Sequence, residues 1–111
     1  NRRQNPKSHV DLLKVHDLLL NKRNRKVTRN SININLQPQE YKLLEVLMEN
    51  SNELITRTML LEKVWDLHFD PQTNIIDVHI SRLRKKIDKD HEVQLLKTIR
   101  GAGYSIQYNS K

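Results

Sequence analysis

Apolar residues change their spacing twice along this chain, and the changes divide it into three zones. From residue 11 to 36 they come in short bursts: Leu12, Leu13 and Val15, then Leu18 to Leu20, then Val27, then Ile32, Ile34 and Leu36. The last three alternate with asparagine, so they share one face of a strand. Polar junctions at Asn21-Lys22-Arg23-Asn24 and Arg29-Asn30-Ser31 suit turns. Residues 11–36 are predicted to form three or four short antiparallel strands, the first two segments being one strand or two.

From residue 38 the spacing becomes helical. Tyr41, Leu44, Leu47 and Met48 follow Pro38, which suits a first helical turn, and Asn50-Ser51-Asn52 ends the run. Glu40 is placed to reach back to the N–H of residue 37, although Gln37 is a poorer cap than Ser or Thr. Thr56 is positioned to cap a second helix, in which Leu60 and Val64, and Leu61 and Trp65, stand four apart. Thr73 or Asn74 caps a third, from about residue 73 to 88. There Ile76, Ile80, Leu83 and Ile87 recur at intervals of 4, 3 and 4. At about 100° per residue they fall on one narrow stripe. Asn74, Val78, Ser81, Arg82 and Lys85 fall opposite, and Arg84 falls on a flank with Asp77. After residue 88 the pattern shortens again. Leu95 to Ile99 and Tyr104 to Tyr108 read as two strands joined through Gly101-Ala102-Gly103. Strands, three helices and a hairpin, in that order, predict an α+β fold. It is a winged helix-turn-helix with an N-terminal antiparallel sheet and a C-terminal β-hairpin wing.

Charge sharpens this picture. The chain has 111 residues and a net charge of +7, unevenly placed. Residues 1–37 carry a net +7, residues 38–73 a net −4 and residues 74–111 a net +4. A basic third helix followed by a basic hairpin suits double-stranded DNA, the helix in the major groove. The acidic middle is expected to face elsewhere, open to a protein partner. Val78 offers apolar contact to a thymine methyl, while Asn74, Ser81 and Arg82 offer polar contact to base edges. Lys85 and Arg84 suit phosphates, with Asp77 near enough to hold Arg84 instead. By composition Trp65 belongs to the core, yet its indole N–H could also serve a phosphate oxygen. Arg100 beside Gly101 suits a narrow minor groove, since glycine permits a tight turn and close approach.

Other chemistries find little support. There is no cysteine, hence no disulfide or thiolate metal site, and no apolar run long enough to span a bilayer. No two of the five histidines stand four apart on a helix, and His68 and Asp70 lack a third ligand, so no metal or other cofactor is expected. Neither a catalytic triad nor a phosphate-binding glycine loop is visible, so no enzyme is expected. Residues 1–10 read as a polar linker, 11–108 as the domain and 109–111 as a tail. A chain that opens in a linker is expected to be part of something longer.

Four ordered blocks carry a family resemblance. They are Leu36-Gln37-Pro38-Gln39-Glu40-Tyr41-Lys42-Leu43-Leu44; Ile55 through Trp65; Asn74 through Ile87; and Thr98-Ile99-Arg100-Gly101-Ala102-Gly103-Tyr104. The chain resembles the C-terminal effector domain of OmpR/PhoB-type response regulators from about residue 11 to 108. The resemblance implies a recognition helix in the major groove and Arg57 and Trp65 on phosphates. It places Arg100 at the adjacent minor groove and Thr98 on the DNA backbone. It also implies that the loop at 66–73, with Asp66, His68, Phe69 and Asp70, touches RNA polymerase. It further implies two tandem copies on repeated half-sites and an upstream receiver domain; the absence of cysteine is compatible with a reducing, cytoplasmic setting. Asp70-Pro71-Gln72-Thr73-Asn74 is similar to the heavy-metal-responsive branch. Gln37 departs from the Thr or Ser common in the family, and Ser81 stands where some relatives carry a basic residue. Two rival classes remain at this point: a winged-helix protein-interaction module without DNA binding, and a metal-dependent nuclease.

Overall fold

A computed structural model describes residues 12–67, 74–89 and 91–108. The linker at 1–10, the tail at 109–111, Thr73, and His68, Phe69 and Asp70 of the expected polymerase loop lie outside these residues. The chain opens with a four-stranded antiparallel meander, β1 (Leu12–Val15), β2 (Leu18–Asn21), β3 (Lys26–Arg29) and β4 (Ile32–Ile34), in sheet order β1-β2-β3-β4. The first two apolar segments are separate strands because the chain reverses at His16 and Asp17, His16 in the left-handed region at φ 55°. Asn30 and Ser31 both have positive φ, 53° and 67°, which fits a two-residue hairpin turn between β3 and β4.

The inner face of this sheet buries Val15, Leu18, Leu20 and Val27. Ile32 and Ile34 share one face of β4, as the alternation predicts, while Leu36 falls beyond the end of the strand. Ile32 is 64 % exposed, while Ile34 and Leu36 are half-buried. The alternation is real, but β4 is a three-residue edge strand, and Ile32 lines an open pocket with Arg29, Lys86 and His91.

Arg29 takes the next inward position of β3 and is 1 % exposed. Its guanidinium donates to Asp17 Oδ1 at 2.8 Å, the Ile87 carbonyl at 2.7 Å, Asp88 Oδ1 at 2.7 Å and the Val93 carbonyl at 2.6 Å. Asp88, also fully buried, accepts the backbone N–H groups of Leu95 at 3.1 Å and Leu96 at 3.0 Å. A buried charge is tolerable only when paired and fully hydrogen-bonded, and these two residues satisfy each other.

Helix α1 (Pro38–Glu49) starts with proline in its first turn. Glu40 Oε1 accepts the Gln37 N–H at 2.9 Å, the back-bond expected from sequence, and also Lys86 Nζ at 2.6 Å. A two-residue strand, β5 (Ile55–Thr56), precedes α2 (Arg57–Trp65). Sequence periodicity could not show β5, since two residues define no period. Thr56 Oγ1 caps α2 by accepting the Met59 N–H at 3.2 Å. Helix α3 (Ile75–Ile87) buries Ile76, Ile80, Leu83 and Ile87, the expected stripe. The chain closes with β6 (Leu96–Ile99) and β7 (Gly103–Ile106), which join β5 in a sheet of order β5-β7-β6. Gly103 therefore lies in a strand, not in the connection. The architecture is a winged helix-turn-helix: α2 and α3 form the helix pair, β6 and β7 the wing. Among the described residues no helix is long and apolar enough to cross a membrane.

Partial burial opposes ionisation of Asp17, but the hydrogen bond and charge of Arg29 outweigh it and lower its pKa. Burial likewise opposes ionisation of Glu40, and Lys86 with the Gln37 N–H reverses the balance. Both groups therefore stabilise the fold above their unfolded pKa of about 4, and this contribution is lost as pH falls through the lower folded values. Urea melts should show stability level from neutrality to about pH 5 and declining below about pH 4, with a shallower decline in the Asp17→Asn, Glu40→Gln double variant. An equal decline in that variant would assign acid sensitivity to other groups. Arg29→Met leaves Asp88 buried and unpaired and should cost about 3–5 kcal/mol in the same assay; an unchanged midpoint would remove the pair from its structural role.

Candidate nucleic-acid interface

Because α3 spends its apolar stripe on the core, its opposite side is free to be polar. Asn74, Ser81, Arg82 and Lys85 are exposed there, and Val78 is half-buried. Asn74 occupies the N-cap position but its side chain makes no capping bond; the first turn closes through the Val78 N–H and the Asn74 carbonyl at 2.9 Å. Arg84, Lys85 and Lys86 fill the last turn, where cations suit the negative end of the helix dipole.

The two flanks of α3 are tied to neighbouring elements. On one, Arg84 Nη2 donates to Thr98 Oγ1 on β6 at 2.6 Å. Arg84 is thus held by Thr98 rather than by Asp77. The Asp77 carboxylate instead accepts the Tyr104 hydroxyl from β7 and lies 4.0 Å from Arg57 Nη1 at the start of α2. Burial, then the hydrogen bond and charge of Asp77, push the Tyr104 pKa up to about 12, so the phenol stays a donor at neutral pH. On the other flank, His79 Nδ1 donates to the Ile75 carbonyl at 2.9 Å, and its ring meets Trp65 edge-on at 5.0 Å. Trp65 is half-buried against the core. Its ring thus backs α3 as well as the helix that carries it.

Arg100 is exposed at the wing tip, where the Ala102 N–H donates to the Ile99 carbonyl at 2.9 Å. Gly101 takes φ +73° in this turn. A cleft of about 310 Å³ lies between α3 and the wing, lined by Arg57, Asp77, Thr98, Tyr104 and the chain at 101–103. Asp66, at the start of the expected polymerase loop, is exposed and ends α2 in the left-handed region at φ 56°.

The structure therefore gathers Asn74, Val78, Ser81, Arg82 and Lys85 on one helix, with Arg57, Arg84 and Thr98 along its wing-side flank. Sequence reasoning missed Tyr104 as a partner of α3 and gave Asp77 the wrong partner. The flank that Asp77 shares with Arg84 was visible in helical angle, but which strand residues would meet it was not. The acidic middle is also less open than its charge suggests. Lys22 bonds Glu49 at 2.7 Å and lies 3.8 Å from Glu45, while Glu40 is buried against Lys86. Among the described residues no group of three or more His, Asp or Glu side chains could hold a metal ion.

Comparison with known proteins gives a consistent pattern. The profile of the family described as "Transcriptional regulatory protein, C terminal" matches residues 30–106. The chain is 43% identical over 93 residues to the transcriptional regulatory protein CusR of Escherichia coli (strain K12), covering 84% of this chain and 41% of that protein. It therefore spans about two fifths of the length of that relative. The DNA-binding domain of Klebsiella pneumoniae RstA, solved in complex with the RstA box, superposes with a TM-score of 0.78 at 29% identity, covering 86% of this chain and 96% of that one. The response regulator DrrB of Thermotoga maritima, an OmpR/PhoB homologue, gives 0.76 at 31% identity, covering 88% and 45%.

The two wing glycines differ in kind. A Cβ on Gly103 would lie 2.2 Å from the Ile55 carbonyl oxygen, whereas a Cβ on Gly101 meets nothing within 4 Å. Gly103→Ala should separate β7 from β5 and lower the melting temperature several-fold more than Gly101→Ala, whose cost is the roughly 1 kcal/mol of placing alanine at positive φ. Thermal unfolding of both variants checks this; equal shifts would contradict the packing.

Proposed function

The chain belongs to the family of C-terminal domains of transcriptional regulatory proteins, among the OmpR/PhoB-type response regulators, and from that premise we propose that it binds double-stranded DNA sequence-specifically as the output domain of a two-component regulator. One observation carries the reading. Helix α3 turns its isoleucines and leucine inward and leaves Asn74, Ser81, Arg82 and Lys85 exposed beside a basic wing. A helix of this width fits the major groove, and a hairpin at its side reaches the next minor groove. The RstA complex supports the same use of this fold.

In this reading Asn74, Val78, Ser81 and Arg82 meet base edges. Arg57, Trp65, Arg84, Lys85 and Thr98 meet phosphates and set the register. Arg84 and Thr98 approach the backbone as a bonded pair, and Arg100, on the turn that Gly101 permits, enters the minor groove. The proposal extends to tandem copies on repeated half-sites, a receiver domain ahead of the linker at 1–10, a cytoplasmic setting, and a binding rather than catalytic role. RNA polymerase would meet the loop that begins at Asp66 and includes His68, Phe69 and Asp70.

The test begins with a randomised duplex pool from which the chain enriches its preferred sequence. Arg82→Ala should weaken binding to that duplex by roughly 1–3 kcal/mol and relax preference at one position. Lys85→Ala should weaken all duplexes alike and reduce the slope of log affinity against log salt by about 1. Enrichment of nothing, or an Arg82→Ala variant that binds unchanged, would overturn the assigned reading face.

A further inference from the structure

We propose that Asp77 and Tyr104 form a strut that holds the wing at a set angle to α3, and that this strut determines sequence specificity rather than DNA affinity. The inference rests on the DNA-binding reading above. It starts from a carboxylate in an unexpected place. Asp77 lies on the wing-side flank of α3, its side chain 59% exposed, among Arg57, Arg84 and the basic wing. Toward phosphate a carboxylate is repulsive, so its charge does not assist binding. Its bond to the Tyr104 hydroxyl is a different matter, because it connects the first turn of α3 to β7.

That bond is one of two. Seven residues further along α3, Arg84 reaches Thr98 on β6. The two attachment points are about 10 Å apart along the helix, at 1.5 Å per residue. Thr98 and Tyr104 are direct partners across the hairpin. Two points well separated on the helix therefore converge on one rung of the wing, a triangulated joint that fixes angle as well as distance. Arg57, 4.0 Å from the same Asp77 oxygen, ties the start of α2 to it. The far side of β7 is seated on β5 through Gly103. With one strut removed the wing can pivot about the other.

The consequence is selective. Base recognition by a helix and a hairpin in neighbouring grooves requires that their separation match the duplex, whereas unspecific binding requires only cations near phosphates. Loss of the strut should harm the first and spare the second.

The experiment uses the whole chain as Asp77→Ala, Tyr104→Phe and the double variant. Each is titrated against the duplex enriched by the native chain and an unrelated duplex of equal length, with hydroxyl-radical footprinting of the minor groove. Thermal unfolding confirms that each variant is folded; Tyr104→Phe keeps the ring and its packing. Each single variant should lower the specific-to-unrelated affinity ratio roughly five- to tenfold, and the double no further, since both remove one bond. Minor-groove protection near the wing should fade, while Asp77→Ala binds unrelated DNA at least as tightly as the native chain. An unchanged ratio in Tyr104→Phe, or losses that add in the double variant, would overturn the strut while leaving DNA binding intact. A native chain that enriches no duplex would remove the functional reading and the strut with it.

Discussion

The structure turns on one buried ion pair. Arg29 and Asp88 come from opposite ends of the domain, the first from the N-terminal meander, the second from the residue that ends α3. Arg29 takes up the last carbonyl of α3 and the Val93 carbonyl on the way to the wing, and Asp88 takes up the N–H groups that open β6. Backbone groups at a helix end and a strand start must find partners when buried. Here a single guanidinium and a single carboxylate supply four of them, the Ile87 and Val93 carbonyls and the Leu95 and Leu96 N–H groups. The exit of α3, and so the origin of the wing, is therefore set by the sheet that precedes it in sequence. Nothing in the pair approaches the exposed face of α3, yet that face depends on it for its orientation.

A second consequence concerns how a small domain fixes the geometry of a reading surface. The apolar core gathers one stripe from each helix, the inner face of the meander, and Ile55, Leu96 and Ile106 of the second sheet, while the wing tip at Arg100, Gly101 and Ala102 lies exposed beyond it. Beyond the core, position is set by polar joints: Arg84 with Thr98, Asp77 with Tyr104, and Lys86 with Glu40. Such joints are directional, so they specify angle where apolar contact specifies only proximity. Each also occupies a charged side chain, while Arg82 and Lys85 on α3 and Lys97 and Arg100 on the wing stand exposed.

Much of the fold was legible in the chain. The stripe of Ile76, Ile80, Leu83 and Ile87, the caps at Thr56 and Glu40, and the final hairpin were all local patterns, because helical period and capping chemistry act over three or four residues. What escaped was long-range. Arg29 reads in sequence as part of a polar turn, yet it is the last residue of β3 on the inward face of Val27, and its partner stands 59 residues later. Ile32 obeys the alternation and is still exposed, since a strand's period says nothing of whether the strand lies at a sheet edge. Tyr104 and Asp77 meet only because β7 docks on β5, a strand too short to announce itself. The family resemblance supplied the role of the exposed face of α3; the joints that aim it came from the three-dimensional arrangement alone.

The central claim is that the exposed face of α3 and the tip of the wing meet DNA together. The most direct test is to titrate the isotope-labelled chain with its enriched duplex and follow every backbone amide by NMR. The account predicts the largest changes at Asn74, Ser81, Arg82, Lys85 and Arg100, with the β2–β3 turn and the outer side of α1 little affected. Changes concentrated on α1 or the N-terminal sheet, with α3 silent, would contradict it.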